Sequence, residues 1–151
     1  MGNICRSPTA EGFFLHKLAQ SKLDINTDSA GTHEYHIGYP PDERAIHESS
    51  MFGVDISALR ARKLVPADFT RFDLILGMDR NNLRMINQMR PAGATAKIGL
   101  MMDYAPELGI PEVPDPYYGS QEDFSLMCKL LNVATANLLA QLEATVETGN
   151  G

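Results

Sequence analysis

The fold is organised around the first fourteen residues, Met1-Gly-Asn-Ile-Cys-Arg-Ser-Pro-Thr-Ala-Glu-Gly-Phe-Phe14. A short loop that contains a glycine runs into a helical pattern, with Ser7 as the predicted cap and Pro8 at the first helical position. Such a junction presents free backbone N–H groups at the positive end of a helix dipole. Because the planar guanidinium of Arg6 matches phosphate oxygens, the stretch predicts an anion site. These residues alone leave an ordinary capped helix start as the alternative.

The composition indicates an ordinary globular protein. The 151 residues are 44% hydrophobic and 21% charged, and we expect residues 1–151 to form one domain. The formal net charge of −6 argues against a nucleic acid as the principal partner, since such a partner requires a basic face. A small anion remains compatible with this charge, because a few oriented amides and one arginine act locally.

The two cysteines, Cys5 and Cys128, predict neither a disulfide framework nor a zinc site, and they favour a reducing cytoplasm. No apolar run is long enough for a membrane span, and the N-terminus lacks the features of a signal peptide. His33 and His36 have no third ligand nearby, so we interpret them as surface histidines. We therefore expect a cytoplasmic protein with no metal, no cofactor and no membrane partner.

Strand-like and helical segments alternate along the chain, which predicts an α/β fold with a mostly parallel sheet. We predict helices at residues 7–22, 43–52, 80–89 and 122–145, and strands at residues 25–29, 72–78 and 96–101. Gly53 suits the C-terminal cap of the second helix, and Asp79 suits the N-terminal cap of the third. Cys128 falls on or near the apolar face of the last helix, where a core position is expected.

Residues 2–11, Gly-Asn-Ile-Cys-Arg-Ser-Pro-Thr-Ala-Glu, resemble the phosphate loop of the low-molecular-weight protein tyrosine phosphatases. Further motifs follow in the family's order at residues 29–32, 41–45, 60–62, 72–79 and 115–119, so the resemblance covers nearly the whole chain. It implies a parallel sheet, four-stranded in the family, with helices on both faces and the strand that feeds the phosphate loop at its centre. Counted back from Arg6, the family's nucleophilic cysteine falls one position before Met1, and Met1 takes the first variable position of the signature. We therefore expect an N-terminally truncated chain that lacks the central first strand and is inactive.

The resemblance implies hydrolysis of phosphotyrosine through a cysteinyl-phosphate intermediate. It assigns phosphate binding to Gly2, Asn3, Ile4, Cys5 and Arg6. Arg6 and Asp115 are then the catalytic residues, and Asp115 acts as the general acid that protonates the leaving phenolate.

The remaining site residues are implied in the same way. Ser7 and Ser29 would brace Asn3, and Tyr35, Tyr117 and Tyr118 would flank the aromatic ring of the substrate. Leu59 stands where the family often has a histidine, so one hydrogen bond of this network is expected to be missing or to come from another group. Cys5 directly precedes Arg6, and we do not expect it to replace the nucleophile.

Three alternatives to an active phosphotyrosine phosphatase stay open. A non-catalytic module would hold phosphate or phosphotyrosine without cleaving it. An arsenate reductase of the same fold would require further cysteines, and an arginine phosphatase typically has threonine where this chain has Ile4. The expected partners are a phosphotyrosine protein or inorganic phosphate, and a homodimer is a further expectation, since exposed strand edges favour association.

Overall fold

The computed structural model describes the backbone of residues 2–149 and the side chains of residues 2–146. In chain order the elements are α1 (Arg6–Leu18), α2 (Glu43–Met51), α3 (Asp68–Arg71), β1 (Leu74–Gly77), α4 (Arg80–Met89), β2 (Lys97–Leu100) and α5 (Gln121–Gly149). Two 3₁₀ turns, Met101–Tyr104 and Pro106–Leu108, follow β2. Met1, assigned above to the signature, lies outside the described residues. That all 151 residues form one domain stays a prediction.

Helix α1 begins one residue earlier than the sequence pattern predicts. Cys5 occupies the N-cap position, so Ser7 and Pro8 lie within the first turn, and the predicted capping role of Ser7 is wrong. The carbonyl of Cys5 accepts hydrogen bonds from both the backbone N–H and the hydroxyl of Thr9, which fixes the start of the helix. The helix also ends at Leu18 rather than near residue 22, because the chain then tightens into turns.

Strands β1 and β2 are parallel, with Leu74 opposite Lys97 and Gly77 opposite Leu100. They form a two-stranded sheet in residues 2–149, and α4 provides the crossover that parallel strands require. Alternate residues of β1 pack against two different hydrophobic clusters. Leu74 and Leu76 pack against the cluster that includes residues of α1 and α5, whereas Ile75 packs against the cluster that includes Ile86 of α4. The predicted α/β architecture with helices on both faces is confirmed.

The strand predicted at residues 25–29 is wrong as a paired strand. Side chains alternate between half-buried and exposed from residue 23 to residue 28, which is the period of an extended strand. The only bridge in this region joins Gly31 to Lys63, and no strand among the described residues pairs with residues 25–28. A strand pattern thus produces an extended backbone, but a ladder requires a neighbour at hydrogen-bonding distance.

The main hydrophobic core lies where α1 and α2 pack against the long helix α5. Phe13 of α1 and Phe124, Met127 and Leu131 of α5 are fully buried, and Cys128 is buried among them as predicted. Gly53 adopts φ of 78° directly after α2, as expected of a residue that ends a helix. Among the described residues, no helix combines the length and the apolar character that crossing a membrane would require.

Replacing Leu131 by alanine should lower the free energy of unfolding by about 2–5 kcal/mol, because it leaves a cavity in this core. The matched control is Leu126→Ala on the same helix, where the leucine is 38% exposed and the cost should stay below about 1 kcal/mol. Urea unfolding followed by circular dichroism measures both changes. Equal effects of the two substitutions would contradict this placement of α5.

Candidate functional site

The loop at residues 2–6 curls over the start of α1. Asn3 has φ of 62°, which is the left-handed conformation expected from its tolerance of that region. The Ile4 carbonyl accepts a hydrogen bond from the Asp42 backbone N–H, so the carbonyl is held away from the loop's own amides. Among the described residues, no acceptor is found for the backbone N–H groups of residues 3–7. Five free amides at a helix N-terminus make a strong anion-binding arrangement.

The Asn3 side chain ties this loop to a second segment of the chain. Its amide nitrogen donates to the Ser29 hydroxyl at 3.0 Å, and its carbonyl oxygen accepts from the Arg62 backbone N–H at 3.1 Å. The Ser29 hydroxyl in turn donates to the Glu11 carboxylate at 2.5 Å. Ser29 therefore braces Asn3 as expected, whereas Ser7 makes no hydrogen bond to Asn3 within the described part of the chain.

Glu11 was not identified from the sequence, although it follows Arg6 by five residues on the same helix. Burial raises the pKa of the Glu11 carboxyl, and the hydrogen bond from Ser29 acts in the opposite direction. Leu59, in the position where a histidine was expected, contributes no polar group, and the Arg62 amide supports Asn3 instead. A hydrogen bond donated by a backbone N–H does not depend on the residue type, so the sequence does not indicate such a contact.

The Arg6 guanidinium is the positively charged group of the site, and hydrogen bonds hold it in position. Its side chain is only 3% exposed, and one terminal nitrogen donates to Asp79 at 2.6 Å and to the Val113 carbonyl at 2.9 Å. Asp79 also caps α4 by accepting from the Asn82 backbone N–H at 2.7 Å. Although burial alone would raise it, the pKa of the Asp79 carboxyl is lowered, because the Asn82 amide and Arg6 stabilise its charged form.

Asp115 reaches the same guanidinium from a distant loop. A carboxyl oxygen lies 3.9 Å from the second terminal nitrogen of Arg6, while the other oxygen accepts from the Tyr117 backbone N–H at 3.1 Å. Val113 holds this loop in place, since its N–H donates to the Met78 carbonyl at the end of β1 and its carbonyl accepts from Arg6. The structure thus brings Arg6 and Asp115 together over the loop, with the Asp115 side chain 39% exposed.

The Cys5 thiol is protonated at neutral pH. Burial raises its pKa to about 12, and the nearby carboxylates of Asp42 and Asp115 act in the same direction. A thiol needs a lowered pKa to act as a nucleophile, so Cys5 lacks the electrostatic environment of a catalytic cysteine. This agrees with the expectation that Cys5 does not replace the nucleophile.

Aromatic side chains surround the opening above the loop. Tyr117 meets Tyr118 edge to face, with ring centroids 4.9 Å apart, and its ring lies 6.3 Å from that of His36. Tyr35 stacks on His33 at 5.3 Å and is 72% exposed, while Tyr118 is 95% exposed. Tyr117 therefore belongs to the wall of the opening, and Tyr35 and Tyr118 extend outwards from it.

Several residues of the opening were missed in the sequence. His36, Tyr39 and Arg44, which were not assigned to the site, line it together with Ile4 and Tyr117, which were. A side chain at Gly2 would meet His36, since an added Cβ would lie 2.5 Å from the ring, so glycine permits this close approach. The concentration of histidine and tyrosine at residues 33, 35, 36 and 39 was a usable signal for this wall.

Arg44 links the aromatic wall to the loop. Its guanidinium donates to both oxygens of Asp42 and to the Tyr117 carbonyl at 2.9 Å, and it lies over the Phe124 ring at 4.5 Å. The Arg44 hydrogen bonds hold the pKa of the Asp42 carboxyl below its usual range, even though burial opposes this. No group of three or more histidine, cysteine or acidic residues in the described part of the chain is arranged to hold a metal ion.

Replacing Asp79 by asparagine should lower the free energy of unfolding by about 2 kcal/mol, because a buried hydrogen bond to Arg6 loses its charge while the helix cap survives. Asp73→Asn, at an exposed aspartate nearby, is the control and should change stability by less than about 0.5 kcal/mol. Since folding lowers the Asp79 pKa, its contribution is complete above the unfolded pKa and is lost on acidification. The difference between wild type and D79N should therefore shrink below about pH 4 in thermal melts. A constant difference down to pH 2 would contradict the assigned ion pair.

Neither cysteine of the folded chain should react with iodoacetamide at pH 8. Burial raises the pKa of Cys5 to about 12 and that of Cys128 to about 11, so the thiolate fraction of each is very small. In 8 M urea both thiols should be modified within minutes, and mass spectrometry counts the adducts. Rapid modification of Cys5 alone in the folded chain would show an activated thiol and contradict this assignment.

Comparison with known proteins identifies the family of this chain. The sequence model of the family described as low molecular weight phosphotyrosine protein phosphatase matches residues 1–148. A low molecular weight phosphotyrosine protein phosphatase of Schizosaccharomyces pombe is 41% identical over 127 residues, which covers 82% of this chain and 81% of that protein. YfkJ of Bacillus subtilis, named a low molecular weight protein-tyrosine-phosphatase, is 34% identical and covers 95% of this chain and 92% of its own.

The fold comparison agrees. The crystal structure of a protein tyrosine phosphatase from Entamoeba histolytica superimposes with a TM-score of 0.90 at 35% identity, over 95% of this chain and 93% of that one. The match extends over the whole α/β architecture and is therefore not limited to the loop. With residues 2–6, Arg6 and Asp115 gathered at one place, the chain belongs to the low-molecular-weight phosphotyrosine protein phosphatase family.

Proposed function

We propose that residues 2–6 bind the phosphoryl group of phosphotyrosine, with Arg6 as the charged donor and Asp115 as the general acid. The observation that carries this proposal is the 3.9 Å approach of the Asp115 carboxyl to the Arg6 guanidinium. A phosphoryl group held by Arg6 would place its leaving oxygen on the side where Asp115 stands. A positioned acid contributes roughly a hundred- to ten-thousand-fold to such proton transfers.

The amides of residues 3–7 and the Arg6 guanidinium offer donors to all the non-bridging phosphoryl oxygens, which is how this class of reaction is stabilised. Tyr117 supplies a flat face for the phenyl ring, and Tyr35 and Tyr118 extend that surface towards the protein that bears the phosphotyrosine. No metal or cofactor is required by this arrangement. Gly2 allows the backbone to stay close to the ligand.

The nucleophile is not Cys5, whose thiol is neutral at the pH of the cytoplasm. A second candidate function follows from this neutral thiol, in which the chain binds phosphate and aryl phosphates without cleaving them, as a phosphotyrosine-binding module would. The raised pKa of Cys5 is the specific observation that favours this second function for the chain alone.

The cellular compartment and the class of partner are inferred from the two cysteines and from the net charge. Cys5 and Cys128 are both unpaired, which fits a reducing compartment such as the cytoplasm. The acidic net charge fits a protein or phosphate partner better than a nucleic acid. A homodimer stays a prediction from the sequence.

Inorganic phosphate should stabilise the chain against heat, by about 2.7 kcal/mol at a hundredfold excess over its Kd. Arg6→Lys should remove most of this stabilisation, because a lysine cannot form the planar double contact with phosphate. Arg71→Lys, at an exposed arginine outside the site, is the control and should keep it. Differential scanning fluorimetry measures the shift.

The same samples test turnover with para-nitrophenyl phosphate, and no burst of nitrophenolate is expected from the 151-residue chain. Phosphate stabilisation that survives in Arg6→Lys would contradict the assigned binding loop. A clear burst that disappears in Cys5→Ser would instead contradict the assignment of Cys5 as an inert thiol.

A further inference from the structure

The motif at residues 41–45 has no part in the proposed function. It begins α2, where Asp42 is the N-cap and Arg44 lies in the first turn. The Arg44 side chain lines the opening above the phosphate loop together with Tyr117. A role for Arg44 at this opening rests on the proposed function, because it concerns the aryl group to which the phosphoryl group is attached.

The segment at residues 113–119 carries both Asp115 and Tyr117. Its first residue is held by the end of β1, as described above. Near its other end, the Tyr117 carbonyl accepts a hydrogen bond from the Arg44 guanidinium at 2.9 Å. In the described part of the chain, no other hydrogen bond joins the backbone of residues 114–119 to another segment. Arg44 is therefore the polar anchor of the end that carries Tyr117.

The Arg44 guanidinium is itself held in a defined position. Its Nε and one terminal nitrogen donate to the two carboxylate oxygens of Asp42 at 3.0 and 2.9 Å. Its central carbon lies 4.5 Å from the ring centroid of the fully buried Phe124 and 5.7 Å from that of Tyr117. A planar guanidinium can make this double contact and stack on a ring at once, whereas the ammonium of a lysine cannot. The hydrogen bond to the Tyr117 carbonyl therefore depends on arginine at this position, and not on positive charge alone.

Asp42 connects the same cluster to the phosphate loop, but it does so through the backbone. Its N–H donates to the Ile4 carbonyl at 2.8 Å. Its carboxylate also accepts from the backbone N–H of Arg44 at 2.9 Å and so caps α2. Neither bond requires a guanidinium, so both should survive substitution of the Arg44 side chain. One substitution can thus release Tyr117 and leave the phosphate loop in place.

The Tyr117 ring is half-buried and held by apolar contacts. It packs against the main core, and its hydroxyl finds no hydrogen-bond partner within residues 2–146. Of the neighbouring rings, Tyr118 is 95% exposed and His36 lies 6.3 Å away. Because apolar contacts are not directional, the hydrogen bond at the Tyr117 carbonyl fixes the orientation of the ring more strongly than they do. The fully buried Pro116 should keep the segment packed when that bond is lost.

We propose that Arg44 is a positioning residue, which holds Tyr117 at the place where an aryl group enters and thereby gives the site its preference for aryl over alkyl phosphates. Arg44 acts through the Tyr117 carbonyl and makes no contact with the phosphoryl group. A preordered aromatic wall binds a ring more tightly than a mobile one, because less conformational freedom is lost on binding. Arg44 is thus a determinant of substrate class, although it lies outside the phosphate loop.

Benzylphosphonate and methylphosphonate are the two probes. Both carry a phosphonate group that is not hydrolysed, so their affinities can be compared whether or not the chain turns over phosphate esters, and they differ by the phenyl ring. Isothermal titration calorimetry of the 151-residue chain should show a Kd about tenfold lower for benzylphosphonate. In Arg44→Lys, the Kd for methylphosphonate should stay within about twofold, and the preference for benzylphosphonate should fall below about threefold.

A double-mutant cycle separates positioning from a general loss of stability. Tyr117→Leu removes the aromatic face and should itself lower the preference for benzylphosphonate. If Arg44 acts through that ring, adding Arg44→Lys to Tyr117→Leu changes the preference no further, whereas independent effects would add. Arg71→Lys, at an exposed arginine outside the site, is the control and should keep the wild-type preference.

Asp42→Asn is a second variant, and it replaces Arg44→Lys if that variant does not fold. An asparagine can still cap α2, while it offers the guanidinium one oxygen in place of two. It should lower the preference for benzylphosphonate in the same direction by a smaller factor. Circular dichroism checks that each variant keeps its helices.

Three results would overturn the proposal while the proposed function stands. They are equal affinity of the wild-type chain for both phosphonates, an unchanged preference in Arg44→Lys, and an effect of Arg44→Lys that persists in full in the Tyr117→Leu background. Binding of neither phosphonate by the wild-type chain would instead contradict the proposed phosphate site, and the role of Arg44 with it.

Discussion

The ion pair between the buried Arg6 and the partly buried Asp79 is the interaction on which the site depends. It joins the start of α1 to the end of β1 and the start of α4, with a nitrogen–oxygen distance of 2.6 Å. The same Arg6 nitrogen bonds the Val113 carbonyl, so the loop that carries Asp115 is fixed relative to the anion loop. Removing one partner of such a pair leaves a buried charge without compensation, which is far costlier than losing a surface pair. The geometry of the phosphate site is therefore coupled to the integrity of the fold.

The loop places a charged side chain, Arg6, directly after a neutral one, Cys5. Arg6 forms an ion pair with Asp79, whereas Cys5, one residue earlier, stays neutral because burial next to Asp42 and Asp115 raises its pKa. Two adjacent residues of the loop, Arg6 and Cys5, thus present a charged group and a neutral group to the same opening. In the proposed function, the first would attract a phosphoryl group and the second would not attack it.

The packing of the protein is strongest on one side of the short sheet. Helices α1, α2 and α5 enclose a large cluster around Phe13 and Leu131, whereas the cluster around Phe69 is small. An apolar groove runs between the two, lined by side chains from both. Most of the hydrophobic burial thus lies on the side of β1 that faces α1, α2 and α5.

Local sequence determined the elements whose signals are local. Asp79 and Gly53 marked helix boundaries through side-chain capping and a positive φ, and Asn3 took the left-handed turn that its side chain tolerates. The motif at residues 2–11 and the order of later motifs were enough to identify the family. By contrast, Ser7 did not cap α1, because the turn at Asn3 brings Cys5 into that position, and a capping residue cannot encode where the preceding turn ends.

Tertiary structure alone decided the contacts that join distant residues. The roles of Glu11 and the Arg62 amide depend on which segments meet, and residue type gave no indication of them. The strand pattern at residues 25–29 determined an extended backbone, yet whether it pairs depends on a neighbour elsewhere in space. Periodicity is a property of one segment, whereas hydrogen-bonded ladders, buried ion pairs and shifted pKa values are properties of at least two. For this reason the sequence by itself determined the chemistry available at the loop, and only the fold decided which groups face it.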